Sequence, residues 1–378
     1  MLAKMMKKQK YKSSRTDHLE RVDIDPTKLE QAFQIIKEGV ERRVYPGAVA
    51  LTSRRGVVLK HKAYGKAVLF PEEKIMQVDT IFDLASLTKP IVTATSTMVL
   101  IEQGRLRLDD KVVDFVPEFK REAVIIKHLL VHTSGLPAWK DFYSEGRSYQ
   151  EIIGEICQTE LGYSPATKVV YSCIGFILLG EIIQRITHKS LALFSKENIF
   201  TPLGMNNTFF NPPIELKERI AATEFCRWRK RILIGEVHDE NAYALGGIGG
   251  NAGLFSTAYD LAIFCQMLLN KGKYDKTRIL SSSTIEEMTK NQTEGLNEPR
   301  GLGWLLKSGK GSPAGDFLST ASYGHTGFTG TSLWIDPVRD LFIILVTNRV
   351  HPDRRCGEEI SRIRPLFNDA VVGSIMGI

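Results

Sequence analysis

Strand-like segments lie near both ends of this 378-residue chain, and a long helical stretch separates them. Residues 48–65 consist of two strand-like runs on either side of a tight Arg-Arg-Gly turn, which predicts a β-hairpin. Residues 303–306, 331–335 and 341–347 are also strand-like, with an Asp-Pro turn between the last two. We therefore expect the early and late strands to share one antiparallel sheet, which brings the two ends of the chain together.

Helical periodicity covers most of the remaining chain. Apolar positions recur at helical spacing after Asp25-Pro26, and another helix is predicted from about Ser86 to Gln103. Further helices are predicted over residues 124–131, 149–157, 172–186, 191–199 and 257–270, and over 355–377 with an interruption near Pro365. The predicted fold class is α/β (α+β), with an antiparallel sheet flanked by helices and a helical lobe.

The predicted organisation is a basic disordered tail over residues 1–24 and one folded domain over residues 25–378. Within that domain, a sheet subdomain is expected from about 25–85 and 300–378, and a helical lobe from about 105–300. A functional site is expected in the groove between sheet and lobe.

The net charge of +7 is concentrated at the start of the chain. Residues 1–15 contain six basic residues and no acidic one, so the rest of the chain is almost neutral. A lysine-rich tail is usually solvated, and no aromatic platform beyond Tyr11 accompanies it. Nucleic acid is therefore not an expected partner.

The cysteines and the apolar segments of the sequence indicate in which cellular compartment the protein is expected. The five cysteines are odd in number and scattered without a CxxC pair, which favours reduced thiols. The basic start is not followed by an apolar segment typical of a signal peptide, and no apolar run approaches the length of a membrane span. We expect a cytoplasmic protein without a membrane span.

The first candidate for chemistry is the pair Ser86 and Lys89, at the start of a predicted helix. Residues three apart lie on the same helix face, and a desolvated lysine can activate a nearby hydroxyl group. The alternative is a helix-capping serine followed by a solvated lysine. By itself, this common spacing favours the alternative.

A second and a third candidate follow in the chain. Tyr171, before Ser172 and Cys173, becomes a catalytic base only if a cation such as Lys89 lowers its pKa. Residues 323–330, Tyr-Gly-His-Thr-Gly-Phe-Thr-Gly, combine small residues with backbone N–H groups that can bind an oxyanion. The alternative for Tyr171 is an aromatic residue of the core, and the alternative for residues 323–330 is a glycine-rich turn before a hairpin.

Together, the three segments resemble those of serine hydrolases of the β-lactamase and penicillin-binding protein superfamily. The sequence is most similar to the class C β-lactamase group and to family VIII esterases. The resemblance runs from about Tyr45 to Asn348 and includes HLLVHTSGLP at 128–137, with similar stretches at 175–187 and 249–264.

The resemblance implies a role for each matching residue. Ser86 would be the acylated nucleophile, Lys89 would share its proton, and Tyr171 would be the general base. The backbone N–H groups of Ser86 and Phe328 would form the oxyanion hole. The implied substrate is a small-molecule ester, amide or β-lactam-like compound, and the implied mechanism uses no metal ion and no organic cofactor.

Two implied substrate-binding positions depart from the family pattern. His325, before Thr326 and Gly327, replaces a lysine that attracts the substrate carboxylate, and an ordinary imidazole is mostly neutral at neutral pH. Cys173 replaces an asparagine, and a thiol is a poor hydrogen-bond donor. Both departures favour hydrolysis of esters or unusual amides over that of β-lactams or D-Ala-D-Ala peptides. If protonated His325 binds an anion, KM for carboxylated substrates should rise between about pH 6 and 8.

Residues 235–242, Gly-Glu-Val-His-Asp-Glu-Asn-Ala, resemble a subgroup that includes cell-wall-fragment amidases. The alternatives for this stretch are a polar loop that caps the helix at residue 257 and a segment that lines the cleft.

Other classes of protein compete with a serine hydrolase. A zinc hydrolase could use His128, His132 and His238 with Asp239 or Glu240, but HLLVH lacks the glutamate of HExxH. An α/β-hydrolase is disfavoured because the chain has no G-x-S-x-G elbow. Cys157 or Cys173 as nucleophile is weaker still. Because His325 and Cys173 depart from the pattern, a non-catalytic binder or sensor with the same fold is also possible.

Overall fold

The computed structural model describes residues 17–309, 311–355 and 359–377. The α-helices of this part of the chain are α1 Asp17–Glu20, α2 Pro26–Glu41, α3 Thr95–Glu102, α4 Ile126–Leu130, α5 Tyr149–Gln158, α6 Cys173–Thr187, α7 Leu191–Ser195, α8 Thr201–Leu203, α9 Glu240–Ala244, α10 Ala258–Leu269, α11 Ser282–Thr289 and α12 Ile360–Gly373.

The strands are β1 Gly47–Arg54, β2 Val57–Val68, β3 Lys74–Ile75, β4 Phe82–Asp83, β5 Phe209–Phe210, β6 Phe225–Cys226, β7 Arg231–Ile232, β8 Leu254–Ser256, β9 Lys273–Tyr274, β10 Thr277–Arg278, β11 Leu305–Leu306, β12 Tyr323–Thr326, β13 Ser332–Asp336 and β14 Leu341–Thr347.

The early and late strands form one seven-stranded antiparallel sheet in the order β11-β12-β13-β14-β1-β2-β3. Strands β1 and β14 pair at its centre, where Ala50 lies opposite Leu345. Successive residues of β1 point to opposite faces, so Val49 packs into one apolar core and Ala50 into another. The predicted antiparallel sheet is thus confirmed.

The terminal helices cover one face of this sheet. Phe33 of α2 and Phe367 of α12 meet edge to face, with ring centroids 5.4 Å apart. The core on the other face joins the sheet to α3, α6 and α10. The prediction of helices on both sides of the sheet is confirmed, whereas the division into subdomains at residues 85, 105 and 300 stays a prediction.

The predicted N-terminal tail, residues 1–24, includes residues that belong to the folded domain. Residues 17–24 belong to the folded part, because Leu19, Val22 and Ile24 are buried and Ile24 forms a β-bridge with Ile375. These apolar side chains pack against the end of the closing helix, whereas the basic residues that suggested a tail all precede them. Residues 1–16 lie outside the described residues.

Two predicted helices differ from the structure. The closing helix runs through Pro365 without a break. The segment predicted as one helix from Ser86 is a 3₁₀ turn over Ala85–Leu87, a π-helical turn over Lys89–Ala94 and then α3. Pro90 has no N–H to bond the Ser86 carbonyl, as one continuous helix from Ser86 would require, and it lies instead in the first turn of the π-helical segment.

A small three-stranded sheet, β4-β8-β5, positions the groove. Strand β4 ends at Asp83, shortly before Ser86, and β8 begins at Leu254, shortly after Asn251. Their pairing places the segment of residues 246–253 beside the start of the Ser86 turn.

None of the helices in the described part of the chain combines the length and the apolar character needed to cross a bilayer.

Candidate active site

Ser86 lies in a sharp turn whose backbone is held by two side-chain hydrogen bonds. The preceding residue, Ala85, has φ of 47°, a left-handed conformation that costs energy for a residue other than glycine. Asp83 accepts a hydrogen bond from the Ala85 N–H at 2.8 Å, and Thr88 donates one to the Ala85 carbonyl at 2.7 Å. The turn leaves Ser86 partly exposed beside the groove.

Lys89 is fully buried behind Ser86. Its Nζ lies 3.1 Å from Ser86 Oγ, 3.0 Å from the carbonyl oxygen of Asn251 and 3.5 Å from Cys173 Sγ. An ammonium group has three N–H donors, and these contacts point in three directions. Lys89 is therefore fixed with one donor towards the candidate nucleophile.

Tyr171 completes this group from the segment just before α6. Lys89 Nζ lies 4.8 Å from the centre of its ring, and the neighbouring side chains of Lys89 and Ser86 both act to lower the pKa of its hydroxyl. The ring packs on His132, with centroids 4.6 Å apart. The structure thus brings together Ser86, Lys89 and Tyr171, which are far apart in the sequence.

The two candidate bases are electrostatically coupled. Burial raises the pKa of Tyr171, and the opposing effect of Lys89 does not cancel this increase. Burial alone would lower the pKa of Lys89, but the neighbouring Cys173 and Tyr171 side chains outweigh it and leave the pKa raised. At neutral pH, we therefore expect the free site to hold both protons.

This protonation state predicts an alkaline rise in activity. Since proton abstraction from Ser86 needs a site that has lost one proton, kcat/KM for a neutral ester should increase between about pH 7 and 9. The measurement is a pH–rate profile corrected with a Ser86→Ala sample for hydroxide-driven hydrolysis. A profile that falls over this range would contradict the proton assignment.

The loop after β12 presents the second candidate oxyanion donor. Arg364 donates to the carbonyl oxygens of Gly327 and Thr331, each at 2.9 Å, and Arg349 Nε donates to the Phe328 carbonyl at 2.9 Å. The Phe328 N–H makes no hydrogen bond to any residue that the structure describes. The carbonyl groups are therefore engaged, while this N–H is available to a developing oxyanion.

The same loop is tied directly to the nucleophile turn. Thr329 Oγ1 donates to the Asp83 carbonyl at 2.8 Å, and Thr331 Oγ1 donates to the Leu84 carbonyl at 3.0 Å. A Cβ at Gly327 would lie 2.5 Å from the Leu84 carbonyl oxygen, so only glycine permits this close approach. These contacts hold the two candidate oxyanion donors, at Ser86 and Phe328, in one rigid unit.

His325 is buried beside the group, and its ring centroid is 5.9 Å from that of Tyr171. Nδ1 lies 2.8 Å from the Thr326 carbonyl oxygen, which can only accept, so Nδ1 carries the proton. Burial, together with the positive charges of Arg300 and Lys89, holds the pKa of His325 well below its usual value. His325 is therefore neutral from about pH 6 to 8, and the expected binding of anions by its protonated form is not supported.

Cys173 and Thr326 are both partly exposed at the groove, as expected for substrate-binding positions. Burial raises the pKa of the Cys173 thiol and raises that of Cys157 to about 12. Both thiols are protonated at neutral pH, so neither resembles an activated cysteine nucleophile.

The histidines considered as zinc ligands have other contacts. His132 Nδ1 accepts a hydrogen bond from the Ser172 N–H at 3.0 Å, and His128 Nδ1 accepts one from the Ile125 N–H at 3.3 Å. Among the described residues, no three His, Cys, Asp or Glu side chains are grouped as a metal ion would require. His132 instead supports the ring of Tyr171.

The stretch of residues 235–242 contacts the candidate site through His238. The His238 N–H donates to Asp83 at 2.6 Å, and the His238 ring stacks on that of Phe328 with centroids 5.5 Å apart. Asp239 caps α9, whereas Thr257 caps the helix that begins at residue 258. The cleft alternative is therefore supported, and the proposed cap of the later helix is wrong.

Sequence reasoning missed several supporting residues. Asp83, Asn251, Arg349 and Arg364 hold the nucleophile turn, Lys89 or the oxyanion loop. Only the Gly-rich segment around Asn251 gave a local signal, because the other contacts join distant parts of the chain.

Comparison with known proteins defines the family. The Beta-lactamase family model matches residues 32–364. An N-acetylmuramyl-L-alanine amidase of Bacillus subtilis (strain 168) is 33% identical over an alignment of 371 positions that covers 88% of this chain and 83% of that protein. A putative D-alanyl-D-alanine carboxypeptidase of Escherichia coli (strain K12) is 31% identical over an alignment of 370 positions that covers 88% of this chain and 85% of that protein.

Among solved structures, EstCE1, described as a hydrolase with promiscuous acyltransferase activity, superposes with a TM-score of 0.74 at 22% identity, covering 92% of this chain and 99% of that one. This similarity shows the fold. The chain belongs to the β-lactamase family of serine hydrolases.

Proposed function

We propose that this protein hydrolyses esters and amides through an acyl-enzyme on Ser86. The observation that supports this most strongly is the 3.1 Å contact between Lys89 Nζ and Ser86 Oγ, with the centre of the Tyr171 ring 4.8 Å from the same Nζ. A serine–lysine–tyrosine group around a buried lysine can accept and return one proton, as nucleophilic catalysis needs.

In acylation, Ser86 Oγ attacks the substrate carbonyl carbon, and its proton passes to the basic form of the Tyr171–Lys89 pair. The carbonyl oxygen becomes negative and accepts hydrogen bonds from the N–H groups of Ser86 and Phe328. When the tetrahedral intermediate collapses, the bond to the leaving alcohol or amine breaks, and that group takes the proton from the pair.

In deacylation, a water molecule attacks the acyl carbon while Tyr171 takes one of its protons. The same N–H groups stabilise the second oxyanion. Collapse breaks the bond to Ser86 Oγ, which recovers the proton, and a carboxylic acid leaves.

The neutral His325 bears on the choice of substrate. A β-lactam or a D-Ala-D-Ala peptide carries a carboxylate that a cation normally binds, and His325 offers none at neutral pH. Nearby arginines already have partners, since Arg300 pairs with Glu298 and Arg364 binds two carbonyl groups. The site therefore suits an ester or an internal amide better than a terminal carboxylate.

The amide of a cell-wall fragment is the second candidate substrate. The B. subtilis relative is named as an N-acetylmuramyl-L-alanine amidase, and the bond of that name joins a lactyl carbonyl to an alanine nitrogen. Such an amide needs no terminal carboxylate beside the scissile bond, which agrees with a neutral His325.

A substrate panel tests these proposals. We expect short p-nitrophenyl esters to have a higher kcat/KM than nitrocefin, and a muramoyl dipeptide to be cleaved faster than a D-Ala-D-Ala peptide. The panel is run on wild type and on Ser86→Ala, in which all enzymatic turnover should disappear. A higher kcat/KM for nitrocefin would reverse the proposed preference, and binding without any turnover would indicate a non-catalytic binder.

A His325→Lys variant serves as a matched control for the carboxylate argument. It restores a cation at the position that the family fills with lysine. We expect it to improve the hydrolysis of nitrocefin relative to that of a neutral ester. An unchanged ratio would show that His325 does not limit carboxylate recognition.

A further inference from the structure

An aromatic cluster lies at the surface near the groove. It consists of Tyr143, Trp228 and Tyr243, which come from three separate segments of the chain. Trp228 meets Tyr143 with ring centroids 4.8 Å apart and Tyr243 with centroids 5.7 Å apart, both edge to face. Trp228 is nevertheless 42% exposed, so the cluster holds a large aromatic ring in place and leaves part of it open to solvent.

Buried polar contacts connect this cluster to the candidate active site. Arg229, next to Trp228, donates to the carbonyl oxygens of Val237 and His238 at 2.8 and 2.9 Å. Its guanidinium group lies 4.4 Å from the centre of the Tyr243 ring. Since His238 stacks on Phe328, the cluster is only a few contacts from the candidate oxyanion hole.

The Tyr143 side of the cluster is also joined to the site. The Cys173 N–H donates to the Ala138 carbonyl at 2.9 Å, which places the start of α6 against the segment that leads to Tyr143. Asn241 of α9 binds the same segment, accepting from the Phe142 N–H at 3.1 Å and donating to the Lys140 carbonyl at 2.9 Å. The cluster is therefore held in place by segments that also contact the candidate active site, at Cys173 and at His238.

Charge accompanies the exposed ring. Arg227 and Lys230 flank Trp228 in the β6–β7 hairpin and are exposed. An aromatic face can pack against the apolar C–H face of a ligand ring, and the two flanking cations can bind polar or anionic substituents at the edge of that ring. A pyranose sugar has this chemistry, and a simple aliphatic ester does not.

We propose that the aromatic cluster, with Arg227 and Lys230, binds the sugar ring of a muramoyl substrate whose lactyl carbonyl lies at Ser86. This inference rests on the proposed function and deepens it, because it assigns the part of the groove that recognises the acyl side of the substrate. The pyranose ring stacks on the open part of Trp228, and its polar substituents face the two cations.

Kinetics of Trp228→Ala test the proposal, with Phe225→Ala as the matched control. Phe225 is a 51% exposed aromatic residue of the same hairpin and is outside the cluster. We expect Trp228→Ala to raise KM for N-acetylmuramoyl-L-alanyl-D-isoglutamine about tenfold and to leave p-nitrophenyl acetate hydrolysis within about twofold of wild type. Trp228→Phe should recover most of the loss, because it keeps an aromatic face.

Calorimetric binding of the same muramoyl dipeptide to Ser86→Ala separates this proposal from the proposed function. Binding that weakens about tenfold with Trp228→Ala, and is unaffected by Phe225→Ala, supports the sugar site even without turnover. Equal affinities of Ser86→Ala/Trp228→Ala and Ser86→Ala/Phe225→Ala for the dipeptide would overturn the proposed sugar site. Failure of Ser86→Ala to bind the dipeptide at all would do the same. If the sugar site is refuted in this way, ester hydrolysis that depends on Ser86 would still support the proposed hydrolase activity.

Discussion

The Ser86→Ala variant is expected to lose covalent labelling by a fluorophosphonate and to hydrolyse a p-nitrophenyl ester at least roughly 10³-fold more slowly than wild type. The reason is that alanine offers no oxygen to form the acyl-enzyme, while the oxyanion donors and Lys89 remain in place. Intact-mass analysis after labelling measures the adduct directly, and initial rates measure the loss of turnover.

Ser172→Ala is the control for this experiment. Ser172 is also close to the group, but its Oγ is engaged with the Pro137 carbonyl and with the N–H of Gly175. This variant should still take up one equivalent of the probe. Equal labelling of Ser86→Ala and wild type would refute the assignment of Ser86 as nucleophile.

The second large effect is expected at the candidate bases. Tyr171→Phe and Lys89→Ala should each lower kcat for the ester by at least about 10², the scale of general acid–base contributions. Phenylalanine keeps the ring contact with His132 and removes only the hydroxyl group beside Lys89. The loss should therefore appear in kcat while the melting temperature of Tyr171→Phe changes little.

The rate of fluorophosphonate labelling refines this prediction. Because both residues are placed to remove the Ser86 proton, both variants should label more slowly than wild type. Lys89→Met is a useful companion to Lys89→Ala, since it fills the buried space without a charge. Activity within a few-fold of wild type in Tyr171→Phe or Lys89→Met would contradict the corresponding role.

Local patterns were sufficient to predict the sheet. The two strand-like runs around the turn in residues 48–65 and the apolar run 341–347 mark strands, and β1 and β14 at the centre of the sheet are buried along their whole length. The boundary of the tail was missed because Leu19, Val22 and Ile24 are too few to form a pattern. They became part of the fold through contacts near Ile375, at the other end of the chain.

The candidate site was predicted in part. Ser86, Lys89, Tyr171 and Phe328 stand in motifs that can be recognised one at a time, and the structure places them together. Their supports could not be predicted, because Asp83 contacts His238 and Arg364 contacts Gly327 across long separations in the chain. Such pairs leave no periodic or spaced signal in the sequence.

The sequence by itself determined the pairing of early and late strands, the order of the three site segments and the two departures from the family pattern, at Cys173 and His325. Only the tertiary structure decided how those residues are protonated. A pKa depends on burial and on nearby charges, and the charges near His325 belong to Lys89 and Arg300, which the fold brings close to it. The same assembly of distant segments brought Trp228 together with Tyr143 and Tyr243.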